Sequence, residues 1–238
     1  MPAYNAEKTI EATYRDIPKS IVDEVIVVDD ASHDRTITTA KRLGLETIAH
    51  PENRGYGGNQ KTCYKTALKK GADIVVMIHP DYQYDATLTA ELIRPIEQGR
   101  FDIMLGSRIR TRDKALQGGM PVWKYYANRF LTLLENIVLG LNLSEYHTGF
   151  RAFSAKALRK LPFEQNSDDF IFDQEILFEA IARGMPIGEI PVPVRYFDAA
   201  SSINFNRSVV YGLGILWLLL RYSADRLKIV KDNRFSNA

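Results

Sequence analysis

The feature that most constrains this fold is a series of short apolar runs, each followed by a turn and a helix-length stretch. The clearest run is Val25-Ile26-Val27-Val28, four β-branched residues without polar alternation. Such a run suits a parallel strand buried on both faces. It ends in the polar segment Asp29-Asp30-Ala31-Ser32, and the pattern then repeats. A helix is predicted over 34–43, closed by Gly44, then a strand over 45–49. The segment Gly55-Tyr56-Gly57-Gly58-Asn59 leads into a helix reaching Lys70, closed by Gly71. A strand over 73–78, a helix over 87–98 and a strand over 101–105 follow. Strands and helices alternating at this spacing mean βαβ units and an α/β fold with a mostly parallel sheet flanked by helices.

The second half changes character. Residues 122–141 form a long helical stretch rich in Trp, Tyr, Phe and Leu, and 150–153 suits a short strand. A helix over 171–183 is stopped by Gly184. Residues 187–196 contain Pro191 and Pro193, so they fit only an edge strand or an extended segment. A final amphipathic or wholly apolar helix is predicted over 207–227. We expect one domain over 1–200 and a C-terminal amphipathic helix within 201–238. With 45% hydrophobic residues in 238, the chain can bury a full core. Its 31 basic and 29 acidic residues are too balanced for a protein living on nucleic-acid backbones. The single cysteine, Cys63, excludes a disulfide framework and a Cys-based zinc site, and fits a reduced, cytoplasmic compartment. The first residues are polar and turn-like, unlike a signal peptide. The longest apolar run, 209–220, has 12 residues, short of the roughly 20 that span a bilayer.

In open parallel sheets, ligands bind beyond the carboxyl ends of the strands, and two polar clusters fall there. Asp29-Asp30 follows the first run. A carboxylate at this place accepts from a nucleobase N–H, or caps a helix as Ser32 also can. His79-Pro80-Asp81-Tyr82-Gln83 follows the 74–78 run. An Asp with an amide oxygen two residues on suits Mg²⁺ or Mn²⁺, which take oxygen ligands while keeping positions open for phosphate. His-Pro-Asp equally suits a plain turn.

The order of motifs is more specific than any one of them. Pro2-Ala3-Tyr4-Asn5, Val28-Asp29-Asp30-Ala31-Ser32-His33-Asp34, Asn53-Arg54-Gly55-Tyr56-Gly57-Gly58-Asn59, Asp81-Tyr82-Gln83, Gly106-Ser107-Arg108 and Thr148-Gly149-Phe150-Arg151 occur in sequence. This series resembles family 2 glycosyltransferases of the GT-A (Rossmann-like) fold. Within them it looks most like the polyprenyl-phosphate, dolichol-phosphate mannosyltransferase-like branch. The resemblance implies that Pro2, Tyr4 and Asp30 hold the base and ribose of a nucleotide sugar. It implies that Asp81 and Gln83, with His79 at the family's first metal-motif position, hold a divalent cation, Mg²⁺ or Mn²⁺, and the donor diphosphate. Arg108, Lys124 and Arg151 would supply positive charge to phosphate groups, and Arg195 would lie near an acceptor phosphate. For Arg108, Lys124 and Arg151 a plain surface charge is the alternative. Ser201-Ser202 falls where the family has a small loop closing over the site. The reaction implied is inverting transfer by direct displacement. Asp173 sits near the family's catalytic carboxylate, Glu175 is its alternative, and acidic residues there also complement a helix dipole. The implied acceptor is a polyprenyl phosphate, for cell-wall or surface-glycan synthesis. A soluble or saccharide acceptor, or a non-catalytic nucleotide-sugar-binding protein, are the alternative readings.

The chain departs from the family pattern in three places. His79 replaces an Asp, which removes one negative charge. Ala6 replaces a Glu, with Glu7 displaced by one. The family also opens with a buried strand ahead of P-x-Y-N, and this chain begins inside it, so that strand is expected to be missing, with an open seam. The stretches 122–141 and 207–227 carry Trp123, Tyr125, Tyr126, Phe130, Tyr211, Trp217 and Tyr222. Lys124, Arg129, Arg207, Arg221, Arg226 and Lys228 lie at their flanks. Aromatic and basic helices of this kind suit the surface of an anionic membrane, here its inner face. Core packing, or a seam between two copies of the chain, is the alternative.

Overall fold

The computed structural model describes residues 1–109, 112–193, 195 and 205–235. Among the described residues seven strands form: β1 (Pro2–Ala3), β2 (Ile26–Asp29), β3 (Glu46–Ala49), β4 (Ile74–Met77), β5 (Ile103–Ser107), β6 (Arg151–Ser154) and β7 (Ile187–Pro191). The helices are α1 (Ile10–Asp16), α2 (Thr36–Arg42), α3 (Gly55–Lys69), α4 (Thr89–Glu97), α5 (Arg112–Gln117), α6 (Val122–Leu139), α7 (Ala155–Leu158), α8 (Phe172–Ala182) and α9 (Phe205–Arg226). The strands make two sheets, ordered β1-β2-β3 and β4-β6-β5-β7. All pairs are parallel except those of β6, which runs antiparallel to both β4 and β5. The proline-bearing β7 takes the predicted edge position.

The apolar runs form central strands because both of their faces are covered. Successive residues point to opposite faces. Ile103 and Leu105 join one buried cluster with Tyr64, Phe153, Phe172 and Ile215, whereas Met104 joins the other with Ile10, Val27, Leu92 and Phe150. The final helix is not a detached appendage. Ile215, Leu218, Leu219 and Tyr222 of α9 are buried in the first cluster, and Tyr222 meets Phe178 edge-on at 5.6 Å.

The strand expected to be missing is present as a two-residue stub. Pro2 pairs with Val28 and Ala3 with Asp29, and the Met1 ammonium donates to Ile26 O at 2.7 Å. Burial pushes that ammonium below its usual range. The predicted seam is real: no ladder joins β1 to β4. A cavity of about 410 Å³ lies in the gap, with Ile17, Ile26, Ile74, Val76 and Ile93 among its walls. Four or five β-branched residues joined ahead of Met1 would extend β1 along β2 and fill this space. The expected gain of a few kcal/mol raises Tm by about 4–10 °C in a chain of this size, as read by thermal melting; an unchanged Tm would show that the gap does not accept a strand.

Helix α8 is buried on nearly every face, and Glu179 is wholly enclosed. Burial pushes its carboxyl up to about 8, against the opposing pull of Arg183 and Arg234. The folded protein therefore binds this proton more tightly than the unfolded chain does. The resulting stability is present at low pH and falls as pH rises from the ordinary carboxyl range through 8. Glu179→Gln should raise Tm at pH 8.5 and leave it nearly unchanged at pH 5, as measured by calorimetry.

Candidate active site

Three loops at strand ends build the site, and each contains a non-glycine residue in the left-handed region: Asn5 (φ 51°), Ala31 (φ 58°) and Tyr82 (φ 59°). Such conformations are strained and persist where surrounding structure holds them. After β2, Asp29 accepts from the Ser32 amide at 3.0 Å and from its hydroxyl at 2.5 Å. Asp30 is buried and accepts three hydrogen bonds from within the fold. Its Oδ1 accepts from His50 Nδ1 at 2.7 Å and the Arg54 amide at 2.8 Å, and its Oδ2 from the Gly55 amide at 3.0 Å. Both oxygens of the carboxylate predicted to hold the nucleoside are thus used to cap the amino end of α3. Pro2 is likewise buried inside the sheet, so of that segment Tyr4, which is half exposed, faces solvent. The glycines after Asn53 serve packing: the Gly57 amide donates to Asp168 O at 2.7 Å, and a Cβ on Gly57 would stand 2.4 Å from Ser167 O.

The third loop, after β4, opens into a cavity of about 170 Å³. His79, Asp81, Gln83, Arg108, Lys124 and Asp173, predicted from separate motifs, all line it. Burial pushes the Asp81 carboxyl up to about 6, against a hydrogen bond from the Gln83 amide at 3.1 Å. Arg108 is buried and ion-paired with Glu145, and also donates to His147 O at 2.6 Å. Burial raises the Glu145 carboxyl, but Arg108 more than offsets this and holds it below the usual range. Burial pulls the Lys124 amine down to about 8, assisted by the neighbouring Arg108 charge.

Asp173 is not a free base. Tyr56 donates its hydroxyl to Asp173 Oδ2 at 2.7 Å, Gln60 donates to Oδ1 at 2.9 Å, and Arg151 Nη2 lies 3.6 Å from Oδ2. Arg151 itself is completely buried. It donates to the carbonyls of Thr148 (2.6 Å), Asp173 (2.5 Å) and Tyr146 (3.0 Å). The phosphate role expected for it meets a side chain with no exposed surface, three of whose five N–H donors go to backbone carbonyls. Glu175, the alternative carboxylate, accepts from the Ser167 amide at 2.6 Å and pairs with Arg234 at 2.7 Å. Arg195 is exposed, and its amide donates to Gln83 O at 3.0 Å. Its guanidinium stacks 4.7 Å from the Tyr82 ring, which sets it beside the Asp81 loop. Ser201 and Ser202 lie outside the described residues.

Several lining residues escaped the sequence reading. Tyr56 and His147 each sit inside or beside a motif already quoted. Asn128 and Tyr211 look like ordinary helix residues, and nothing in their local sequence marks them. Tyr84 accepts from the Gly149 amide at 2.9 Å and fixes the turn ahead of β6.

A strand-end acidic loop facing a cationic cavity, on this α/β framework, defines a GT-A glycosyltransferase. Residues 1–162 match the family described as Glycosyl transferase family 2. An uncharacterized protein of Methanocaldococcus jannaschii is 30% identical over 220 residues, 92% of this chain and 89% of that one. The UDP-N-acetylglucosamine–dolichyl-phosphate N-acetylglucosaminyltransferase of Methanococcus voltae is 30% identical over 237 residues, 92% of this chain and 93% of that one. Among solved structures, glucosyl-3-phosphoglycerate synthase from Mycobacterium tuberculosis, in complex with Mn²⁺, UDP-glucose and phosphoglyceric acid, superposes with a TM-score of 0.69. It is 21% identical and covers 98% of this chain and 79% of that one. The chain belongs to glycosyl transferase family 2.

Proposed function

We propose that this glycosyltransferase moves a sugar from a nucleotide-sugar donor to a polyprenyl-phosphate-type lipid acceptor, with inversion, in cell-wall or surface-glycan synthesis. The observation that carries this reading is the position of the cavity. It joins the His79–Gln83 loop to Arg108 and Lys124, and α6 and α9 contribute to its walls. The outer faces of those two helices are apolar. On α6, Val122, Tyr126, Phe130, Leu133 and Ile137 are exposed at helical spacing, and on α9 Val210, Leu213, Trp217 and Leu220 are exposed likewise. Among the described residues no helix is long and apolar enough to cross a membrane. The two stripes, flanked by Lys124, Arg129, Arg207, Arg221 and Arg226, suit the inner face of an anionic bilayer. A lipid phosphate could then reach the cavity while its tail stays in the membrane. The Methanococcus voltae relative is named for a dolichyl-phosphate acceptor, which supports the same reading.

In the reaction, an acceptor phosphate oxygen forms a bond to the anomeric carbon. The bond from that carbon to the donor diphosphate breaks, and a nucleoside diphosphate leaves. A phosphate acceptor is already an anion, so the absence of a free carboxylate base at Asp173 is no obstacle. Carboxylate, amide oxygen and imidazole nitrogen fit a divalent cation, Mg²⁺ or Mn²⁺, so Asp81, Gln83 and His79 would hold it. The described residues offer no cluster of three His, Cys, Asp or Glu, and donor phosphates would supply the remaining ligands. When bound, the ion neutralises charge developing on the leaving diphosphate. Arg108 and Lys124 orient the acceptor phosphate.

Transfer is measured with labelled nucleotide sugars, polyprenyl phosphate and Mn²⁺. Asp81→Asn should lower turnover by about 10²-fold or more. Lys124→Met should raise KM for the lipid phosphate about 10-fold with a smaller change in kcat. In the wild type this KM should rise above pH 8, where Lys124 loses its proton. Failure of every donor to transfer, or a protein that leaves anionic vesicles in a flotation gradient, would sink the lipid-acceptor reading.

A further inference from the structure

The histidine at position 79 is held in one orientation and one tautomer. The Tyr56 hydroxyl carries a single proton and sits 2.7 Å from Asp173 Oδ2. A carboxylate that already accepts from Gln60 is an acceptor at this contact, so the hydroxyl donates to it. His79 Nε2 lies 3.1 Å from the same hydroxyl oxygen. With the hydroxyl proton committed, Nε2 must be the donor. The lone pair of the neutral ring is then on Nδ1, which makes no hydrogen bond among the described residues. The ring is also packed tightly. Tyr56 stacks on it with centroids 5.2 Å apart and planes 12° from parallel. Gly149 closes its edge, where a Cβ would stand 2.7 Å from His79 Cδ2.

An imidazole with one nitrogen donating to a fixed oxygen and the other bare is the arrangement of a prepared metal ligand. Asp81, two residues on, lines the same cavity. We propose that His79 Nδ1 is a direct ligand of the divalent cation, that the Asp173–Tyr56 pair is its positioning device, and that this nitrogen biases the site towards Mn²⁺ over Mg²⁺. This inference rests on the cation-dependent glycosyltransferase reading above and deepens it. The bias follows from ligand chemistry: both ions favour oxygen, but Mg²⁺ is the smaller, harder ion with the stricter demand for oxygen ligands, so an imidazole nitrogen costs it more than it costs Mn²⁺. It also gives Asp173 a task that needs no free oxygen.

The test uses the full chain with Mn²⁺, alone and with UDP or GDP. Electron spin-echo spectroscopy should show ¹⁴N coupling from a directly bound imidazole in the wild type, and His79→Asp should abolish it. In competition titrations His79→Asp should also reduce the Mn²⁺ over Mg²⁺ preference about 10-fold. Tyr56→Phe keeps the stacked ring and loses only the hydroxyl. It should weaken Mn²⁺ affinity about 10-fold while retaining the ¹⁴N signal, with melting curves reporting that it is folded. Mn²⁺ binding without ¹⁴N coupling in the wild type overturns the ligand assignment and leaves the glycosyltransferase reading standing. No Mn²⁺ binding under any of these conditions overturns both the assignment and the cation-dependent reading.

Discussion

The site depends on one buried guanidinium. Arg151 opens β6, is wholly enclosed, and bonds to carbonyls of the 146–148 turn and of α8. An unpaired buried charge is costly, so the three carbonyls and the Asp173 carboxylate beside it must stay where they are. That requirement transmits outward. Asp173 fixes Tyr56, and Tyr56 fixes His79. A second buried pair, Arg108 with Glu145, does the same for the opposite wall, because Asn128 also donates to Glu145 at 3.0 Å. Buried polar networks of this kind rigidify when every member is satisfied. The cavity between them therefore owes part of its shape to Arg151 and Glu145, which do not line it.

The parts legible in the sequence are those whose signal is local. The strands β2, β4 and β5 are built on apolar runs, Ile26–Val28, Ile74–Met77 and Ile103–Leu105, which suit central strands covered on both faces. Glycine stops placed the ends of α2, α3 and α8 to within a residue or two. The antiparallel insertion of β6 was not legible, because Arg-Ala-Phe-Ser has the same alternation in either direction. Helix α1 was missed because Glu-Ala-Thr-Tyr-Arg-Asp carries a weak apolar period. Side-chain roles failed for a different reason. Residue type and spacing identify Asp30 and Arg151 as groups able to bind a nucleoside or a phosphate. They do not reveal that neighbouring amides and carbonyls already occupy most of the Asp30 acceptor sites and three of the Arg151 donors. That information is tertiary: Asp30 is claimed by a loop more than twenty residues on, and Arg151 by α8.

The same reasoning changes the meaning of His79. Taken from the motif alone, the exchange of a carboxylate for an imidazole is a loss of charge at a metal position. In the fold, the residues around it are adapted to an imidazole. Gly149 leaves room for the ring edge, Tyr56 stacks on its face, and the hydroxyl of Tyr56 accepts its proton. An Asp at 79 could use none of these three contacts, and the Tyr56–Asp173 hydrogen bond would then point at a second carboxylate with no proton to share. The substitution and its surroundings are consistent with each other.

Charge in the cavity is set by small differences. Arg108 is matched by Glu145, and the His147 ring lies 3.1 Å from Glu135. The outcome then turns on Lys124, whose amine is drawn down to about 8 by burial and by Arg108. An incoming phosphate would favour the charged amine and reverse that shift, so binding and proton uptake are coupled. Near and above pH 8 an arriving anion therefore restores a charge that Lys124 would otherwise give up.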